Sequence, residues 1–500
     1  MEVERENQME LNIFSVKFNQ NNIKAYNQDS CPAFTGKNIK PAVKTVALGT
    51  TTALAYLGVN QTNKKENAFI NKFLNERDDV KSAEMLLKKY PELYWLTNDV
   101  NATPEGKSSN NTDSISKFLF GKKHIEFDRT MAGIQCLKYV LNNDYESFTQ
   151  CQNDEIKLTP DNFEELRNYT LSVLKTPEDV DAMLAYTVIN DLGKIKNFVS
   201  DVEGQAGIKA KDHDEALLIG LKYMPKKIPS FNRLSQKYQK EILNALEADF
   251  NLGQFVFAEC LEGNLTKFKN VTPESKQLYI VHLLYDVAGV AGHINPKGSL
   301  VMTNPVYNSY MQGIESINEL NSKSENEVYD SFLMKKANDF GLPMRTPKER
   351  AIVKLILMSR LTKQEDLINV KKAFDELDTD TKNNLIEGLS KDGIKNGGTL
   401  LYYAPAFIQN TYNAKLDNKT ALLKKAFEVL ALIYNDNESN ASGIKTVSLA
   451  NIANAIKNSP DLKTEQLYQI YKKEFYIINA PSRRSRWSSS KNSANCLVST

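Results

Sequence analysis

The stretch Thr187-Val-Ile-Asn-Asp-Leu-Gly-Lys-Ile195 places a carboxylate on the apolar face of a predicted helix. Three apolar residues share that face, because Leu184 and Val188 stand seven and three residues before Asp191 and Ile195 stands four residues after it. A bare carboxylate is costly to bury, so it needs a metal ion, a cationic side chain or hydrogen-bond donors. The sequence therefore predicts that partners for Asp191 lie elsewhere in the chain.

The candidate partners are concentrated in one part of the chain. It has only four histidines, and all lie between residues 124 and 293: His124, His213, His282 and His293. His282 and Asp286 are four residues apart, which puts them on one helical face. If that helix continued through Gly289 and Gly292, His293 would return to nearly the same face, and close approach of a helix or ligand would explain the two glycines.

Each of these ionisable residues also has an ordinary structural interpretation. His282 and Asp286 would then form a hydrogen-bonded pair in a core. His213, between two aspartates, would lie at a solvated helix start, and His124 has a similar alternative. The residues taken one at a time leave both interpretations open.

The octapeptide Val188-Ile-Asn-Asp-Leu-Gly-Lys-Ile195 resembles the signature LLHDIGKI of the HD-domain superfamily, whose His-Asp pair holds one or two metal ions. Asn190 stands at the position of the signature histidine. HD domains draw their ligands from a first His, the His-Asp pair, later His residues and a final Asp. This order resembles the order of five residues here: His124, Asp191, His213, His282 and Asp286. The resemblance covers roughly residues 115 to 315.

This resemblance implies a metal-dependent phosphohydrolase that acts on a phosphate ester or nucleotide, with a small phosphorylated ligand as its partner. The metal would be one divalent transition metal ion, Mn, Fe or Zn, because the amide oxygen of Asn190 is a poor ligand. The implied metal ligands are His124, Asp191, His213, His282 and Asp286. Asp191 would also be catalytic through a metal-bound water, and Lys194 would stabilise charge developing on the phosphate. The alternative for Lys194 is an ordinary surface lysine.

A second hypothesis is a catalytically degenerate HD-like helical binding or scaffold protein. Asn190 favours it, as do the long helical C-terminal region and the lack of a Ser-His-Asp, P-loop or Gly-rich dinucleotide pattern. Histidines that converge on one open pocket would favour the enzyme. Histidines that are scattered, or packed against apolar side chains, would favour the binding protein.

Helix starts recur along the chain as Thr-Pro pairs followed by helical periodicity: Thr159-Pro160, Thr176-Pro177, Thr272-Pro273 and Thr346-Pro347. Threonine accepts a free N–H of the first turn, and proline fits the next position, where no donor is needed. Thr346 and Glu349 also have the spacing of a capping box. Since alternating Val/Ile/Thr runs are nearly missing from the sequence, we predict an all-α protein, an HD-like helical bundle followed by a second helical region.

The predicted organisation has four parts. Residues 1–60 are a disordered leader with a short apolar segment, and residues 61–320 are the helical HD-like domain. A soft boundary at 320–345 precedes the C-terminal helical region, 346–479, and residues 480–500 are a disordered basic, Ser-rich tail.

Charge and cysteine content bear on partners and compartment. The 63 basic and 61 acidic residues nearly cancel, so nucleic acid is not a favoured partner. Five cysteines without a CxxC pair suggest reduced thiols, although a single disulfide stays open. We therefore predict a cytoplasmic protein, whose oligomeric state the sequence leaves open.

The apolar run 45–59 is the one segment that suggests a membrane. Its length is short for a bilayer span, which needs about 20 residues, so membrane contact through it is not favoured. Lysines that precede it leave open a membrane anchor or an export signal in residues 37–59.

Overall fold

A computed structural model describes residues 64–98, 114–361, 363–414, 418–437 and 442–479. The predicted leader 1–60, with its apolar run 45–59, and the predicted tail 480–500 lie outside the described residues. Among the described helices, none is both long and apolar enough to cross a membrane.

The prediction of an all-α protein is confirmed. The first part of the described chain holds sixteen α-helices: α1 Lys64–Asn75, α2 Asp79–Lys89, α3 Glu92–Trp95, α4 Ile115–Phe120, α5 Ile125–Leu141, α6 Tyr145–Thr149, α7 Pro160–Val173, α8 Pro177–Ile189, α9 Lys196–Ala206, α10 His213–Tyr223, α11 Pro229–Asn232, α12 Gln236–Glu247, α13 Leu252–Val256, α14 Asn264–Lys269, α15 Pro273–Gly289 and α16 Asn304–Asn318. Short 3-10 helices lie at Asn190–Lys194, Pro225–Lys227 and Glu319–Asn321.

The later part of the chain is also helical, with two short strands. Its helices are α17 Glu325–Asp339, α18 Pro347–Ser359, α19 Gln364–Asp375, α20 Thr379–Ser390, α21 Ala404–Tyr412, α22 Lys419–Asp436, α23 Ala450–Asn458 and α24 Thr464–Asn479. The strands β1 Gly398–Tyr402 and β2 Ile444–Ser448 pair in parallel, with Gly398 opposite Ile444.

The four Thr-Pro helix starts are confirmed. Each threonine is the N-cap of its helix and accepts a hydrogen bond from a backbone N–H of the first turn, with proline at the next position: Thr159, Thr176, Thr272 and Thr346. Thr346 and Glu349 form the predicted capping box. Because each such cap contributes about 1 kcal/mol, these starts help to set where α7, α8, α15 and α18 begin.

Two hydrophobic clusters make up the cores of the two halves. The larger extends from Ile70 in α1 to helices α16 and α17, and the smaller is built from α18 to α24. Helix α18 belongs to both, because Val353 packs into the larger cluster and Leu355 into the smaller. The two cores therefore meet along one helix.

Helices α5 and α15 approach each other closely at glycines. A Cβ atom on Gly289 would lie 2.3 Å from the backbone nitrogen of Gly133, and one on Gly292 would lie 2.4 Å from Cβ of Ala132. The predicted close approach is confirmed, and a helix rather than a ligand makes it. Since α15 ends at Gly289, His293 lies in the following turn and not on the helical face of His282.

Candidate functional site

The signature segment changes helix type at its centre. Helix α8 ends at Ile189, and residues Asn190–Lys194 continue as a 3-10 helix before α9 begins at Lys196. The predicted stripe is nevertheless buried, since Asp191 is only 7% exposed and its apolar neighbours are all in the core. The carboxylate thus lies where partners are required.

Those partners are charged side chains from the signature itself and from α5. The Lys194 ammonium lies 3.0 Å from Oδ1 of Asp191 and 3.0 Å from Oε2 of Glu126. Arg129 contacts the other oxygen of Glu126 at 3.2 Å. The Lys194 side chain is only 12% exposed, so the alternative of a surface lysine is wrong. Two carboxylates and two cations form one nearly buried network, which we call the ion cluster.

The two carboxyl groups of the ion cluster have opposite pKa shifts. Burial raises the pKa of Asp191 to about 7; the Lys194 charge opposes this, while the charges of Glu126 and Asp286 add to it. Burial also disfavours the charged form of Glu126, but Arg129 and Lys194 outweigh it and hold the pKa of Glu126 well below its usual range. Asp191 is therefore the member of the pair that holds a proton as the pH approaches neutrality.

The stability of Asp191→Asn relative to the wild type is expected to depend on pH. Because folding raises the pKa of Asp191 from 3.8 to about 7, the stability from this group is complete below about pH 4 and is lost as the pH rises through about 7. The amide of asparagine does not titrate, so Asp191→Asn does not lose stability in this way as the pH rises. As the pH rises from about 5 to about 8, we expect the free energy of unfolding of Asp191→Asn to gain about 2 kcal/mol relative to that of the wild type. Urea denaturation at a series of pH values measures this difference.

The control for this prediction is Asp161→Asn, which removes an exposed carboxylate from the first turn of α7. Its stability is expected to follow the wild-type pH dependence. If the free energies of unfolding of Asp191→Asn and of the wild type changed in parallel over this pH range, Asp191 would not be the group that holds the proton.

His282 is the most deeply buried of the predicted ligands, at 4% exposure. Its ring stacks on Tyr186 with a centroid distance of 4.1 Å, and its Nε2 has no hydrogen-bond partner among the described residues. Burial lowers the pKa of His282 to about 4, although the charge of Asp286 opposes the shift, so the ring is neutral. Within the described chain no hydrogen bond joins His282 to Asp286, and the alternative of a bonded pair is wrong.

The other two predicted histidine ligands lie in different surroundings. His213 begins α10, where its Nε2 is 3.3 Å from Asp214 and its side chain is partly exposed, as the alternative of a solvated helix start predicts. His124 immediately precedes α5, and its ring meets Phe120 edge to face at 5.9 Å.

The five predicted metal ligands are not brought together as a metal site. Among the described residues, no three His, Cys, Asp or Glu side chains form a group that could hold a metal ion. The Lys194 ammonium, moreover, lies 3.0 Å from a carboxylate oxygen of both Asp191 and Glu126, where a metal ion bound to these groups would lie. The arrangement as it stands does not fit a metal ion, and metal binding stays a prediction.

Sequence reasoning missed Glu126 and Arg129. They are three residues apart on α5, a spacing that puts them side by side on any helix and is common on exposed faces. The sequence does indicate that a buried Asp191 needs a cation, but Lys194, only three residues away, already supplies one. Nothing in the sequence therefore points to α5 as a second source of charge.

The fold and the site define an all-α protein with an ion cluster at the junction of α5, α8 and the 3-10 helix Asn190–Lys194. The chain belongs to a family of unknown function, DUF6829, whose family model matches residues 85–464. The matched range includes the signature, the ion cluster and most of both hydrophobic clusters. Neither the curated proteins nor the solved structures contain a match to this chain.

Proposed function

We propose that this chain is a helical binding protein with a degenerate HD-like signature, in which a lysine takes the role of the metal cation. The observation that carries the proposal is the position of the Lys194 ammonium, 3.0 Å from a carboxylate oxygen of both Asp191 and Glu126. Together with Arg129, this internal cation compensates two buried carboxyl groups, so their burial does not require a metal ion.

The distribution of the histidines supports the same proposal. His282 is packed against Tyr186, His124 contacts Phe120, and His213 stands at a helix start. Scattered or packed histidines are what the binding-protein hypothesis expects. Asn190, at the signature histidine position, removes one imidazole donor as well.

The metal-dependent phosphohydrolase remains the second hypothesis, with one observation in its favour. Asp191, Glu126 and Asp286 are close enough that the charges of the other two raise the pKa of Asp191. A divalent cation would relieve that repulsion. For such a cation to bind, Lys194 would have to leave its position between the carboxylates of Asp191 and Glu126.

We also propose that the chain acts in the cytoplasm. The three cysteines in the described part of the chain are all buried and form no disulfide: Cys136, Cys151 and Cys260. Free buried thiols are typical of proteins in reducing compartments.

Metal analysis of the purified full-length chain, followed by a phosphodiesterase and nucleotidase screen, tests the proposed function. Because Lys194 already compensates Asp191, we expect transition metal far below one ion per chain. Any activity at background level should be equal in the wild type and in Asp191→Ala. The control is Asp380→Ala, an exposed position in the first turn of α20.

A stoichiometric transition metal that is lost in Asp191→Ala and retained in Asp380→Ala would contradict the binding-protein proposal. Turnover of a phosphate ester that disappears only in Asp191→Ala would contradict it as well. Either result would favour the phosphohydrolase.

A further inference from the structure

A pocket lies in the C-terminal half of the protein, where helix α20, strand β1 and the end of helix α22 meet. It encloses about 340 Å³, which includes its open mouth, a volume at the lower end of the range for small-molecule sites. One face of α20 and the residue that follows this helix line one side, and β1 and the residue after α22 line the other. The polar side chains that matter here are Asn384, Glu387, Lys391, Thr399 and Asn437.

Asn437 brings a buried hydrogen-bond acceptor to this pocket. The residue directly follows α22 and is only 4% exposed. Its Nδ2 donates to the carbonyl oxygen of Ile433 and to the hydroxyl of Tyr471, each at 2.7 Å, so both of its hydrogen atoms are used. Its Oδ1, in contrast, accepts no hydrogen bond from the described part of the chain. Because buried polar atoms are nearly always hydrogen-bonded, this oxygen requires a donor that enters the pocket.

Strand β1 brings a buried donor to the same place. The N–H of Gly398 donates to the carbonyl oxygen of Gly443 at 3.0 Å, and successive residues of a strand direct their N–H groups to opposite edges. The N–H of Thr399 therefore faces away from β2, and none of the residues that the structure describes accepts from it. The hydroxyl of Thr399 donates to the carbonyl oxygen of Asn437 at 3.3 Å, so the donor and the acceptor belong to residues in direct contact.

The charges at the pocket balance each other. Glu387 and Lys391 are its two charged lining residues, and their side chains form an ion pair of 3.2 Å. The Glu387 side chain is largely exposed, which places the pair at the mouth. A ligand in the pocket therefore meets no net charge, and an uncharged molecule avoids the cost of burying a charge without a counterion.

We propose that this pocket binds the primary carboxamide group of a small uncharged molecule. Its nitrogen donates to Oδ1 of Asn437, and its carbonyl oxygen accepts from the N–H of Thr399. A carboxamide carries a donor and an acceptor side by side without a charge, whereas a carboxylate has no donor and an ammonium group has no acceptor. The inference rests on the proposed binding function and names its ligand class.

Ligand-observed NMR titration of the full-length chain tests the site with acetamide, butyramide and benzamide. At least one should bind with a Kd of about 1 mM, the affinity expected for ligands of this size. The corresponding carboxylate and N,N-dimethyl amide should bind about tenfold more weakly, because neither has an N–H donor for Oδ1 of Asn437.

Two matched variants locate the binding in the pocket. Asn384→Phe puts a large side chain where Asn384 lines the pocket, so detectable amide binding should be lost. Asn383→Phe makes the same change at the preceding, exposed residue of α20 and should bind like the wild type. Urea denaturation of both variants establishes that they are folded.

Asn437→Leu tests the acceptor itself. Leucine is similar in size to asparagine but lacks Oδ1, so the preference for the primary amide over its N,N-dimethyl analogue should disappear. Both affinities are measured on the same folded protein, so their ratio does not depend on the stability lost with the two Nδ2 bonds.

Failure of all three amides to bind the wild type would overturn the inference, as would undiminished binding by Asn384→Phe or tighter binding of the carboxylates. The outcome is separate from that of the proposed function. Stoichiometric metal that depends on Asp191, together with amide binding, would contradict only the proposed function. A metal-free chain that binds no amide would contradict only the carboxamide site.

Discussion

Replacing Lys194 with Met is expected to lower the free energy of unfolding by about 2–3 kcal/mol at neutral pH, as measured by urea denaturation. The substitution keeps an apolar chain of similar length but removes the ammonium that lies 3.0 Å from both Asp191 and Glu126. Both carboxyl groups are nearly buried, so neither can be rehydrated without opening the junction of α5 and α8. Because the pKa of Asp191 is already raised to about 7, this carboxyl group takes up a proton when Lys194 is lost. The expected cost is therefore the loss of one of the two cations beside the buried Glu126 carboxylate.

A double variant and a control identify the cause of this loss. Lys194→Met combined with Asp191→Asn should regain a substantial part of the stability, because an amide at position 191 needs neither a cation nor a proton and Arg129 still contacts Glu126. Lys209→Met removes a lysine that is paired with Glu203 but 89% exposed, and should leave stability nearly unchanged. If Lys194→Met cost no more than Lys209→Met, Lys194 would not stabilise the buried carboxyl groups of the ion cluster.

The elements that sequence reasoning predicted well are those set by local chemistry. A threonine followed by proline begins a helix because the cap bond and the missing donor both lie within one turn, and all four such starts are helix starts in the structure. The glycines Gly289 and Gly292 were also informative, because a residue without a side chain in an apolar helix indicates a close neighbour.

The partners of Asp191 were predictable only in part. The need for a partner follows from the apolar stripe alone, and one partner, Lys194, lies in the same segment. Glu126 is 68 residues away from Lys194, and its position depends on how α5 packs against α8. An order of His and Asp residues along the chain carries no such packing information, which is why the HD resemblance does not by itself give the distances between them.

The signature segment also differs from the prediction in its type of helix. The predicted apolar stripe requires one continuous α-helix to Ile195, whereas α8 ends at Ile189 and a 3-10 helix follows. Its tighter turn brings Gly193 against the backbone of His213 at the start of α10. The close approach of α10, and with it of His213, to the signature segment therefore requires a residue without a side chain at position 193.

Gly193→Ala is therefore expected to destabilise the fold by about 3 kcal/mol, because the added methyl group meets backbone and not a movable side chain. A Cβ atom at this position would lie 1.8 Å from the carbonyl oxygen of His213 and 2.6 Å from its carbonyl carbon. Among the described glycines, Gly193 is not one with a positive φ angle, so the loss would be steric and not a matter of backbone strain. Thermal and urea denaturation of the purified variant measure it.

Gly204→Ala is the matched control, since it makes the same chemical change eleven residues further along the chain. Gly204 lies inside α9, and a Cβ atom there would meet nothing within 4 Å. Alanine in a helix interior is favoured over glycine, so this variant should gain about 0.5–1 kcal/mol. The free energies of unfolding of the two alanine variants should thus differ from each other by about 4 kcal/mol, one below and one above that of the wild type. Equal stabilities for both would mean that α10 does not pack against Gly193, and the contact between the signature segment and His213 would have to be abandoned.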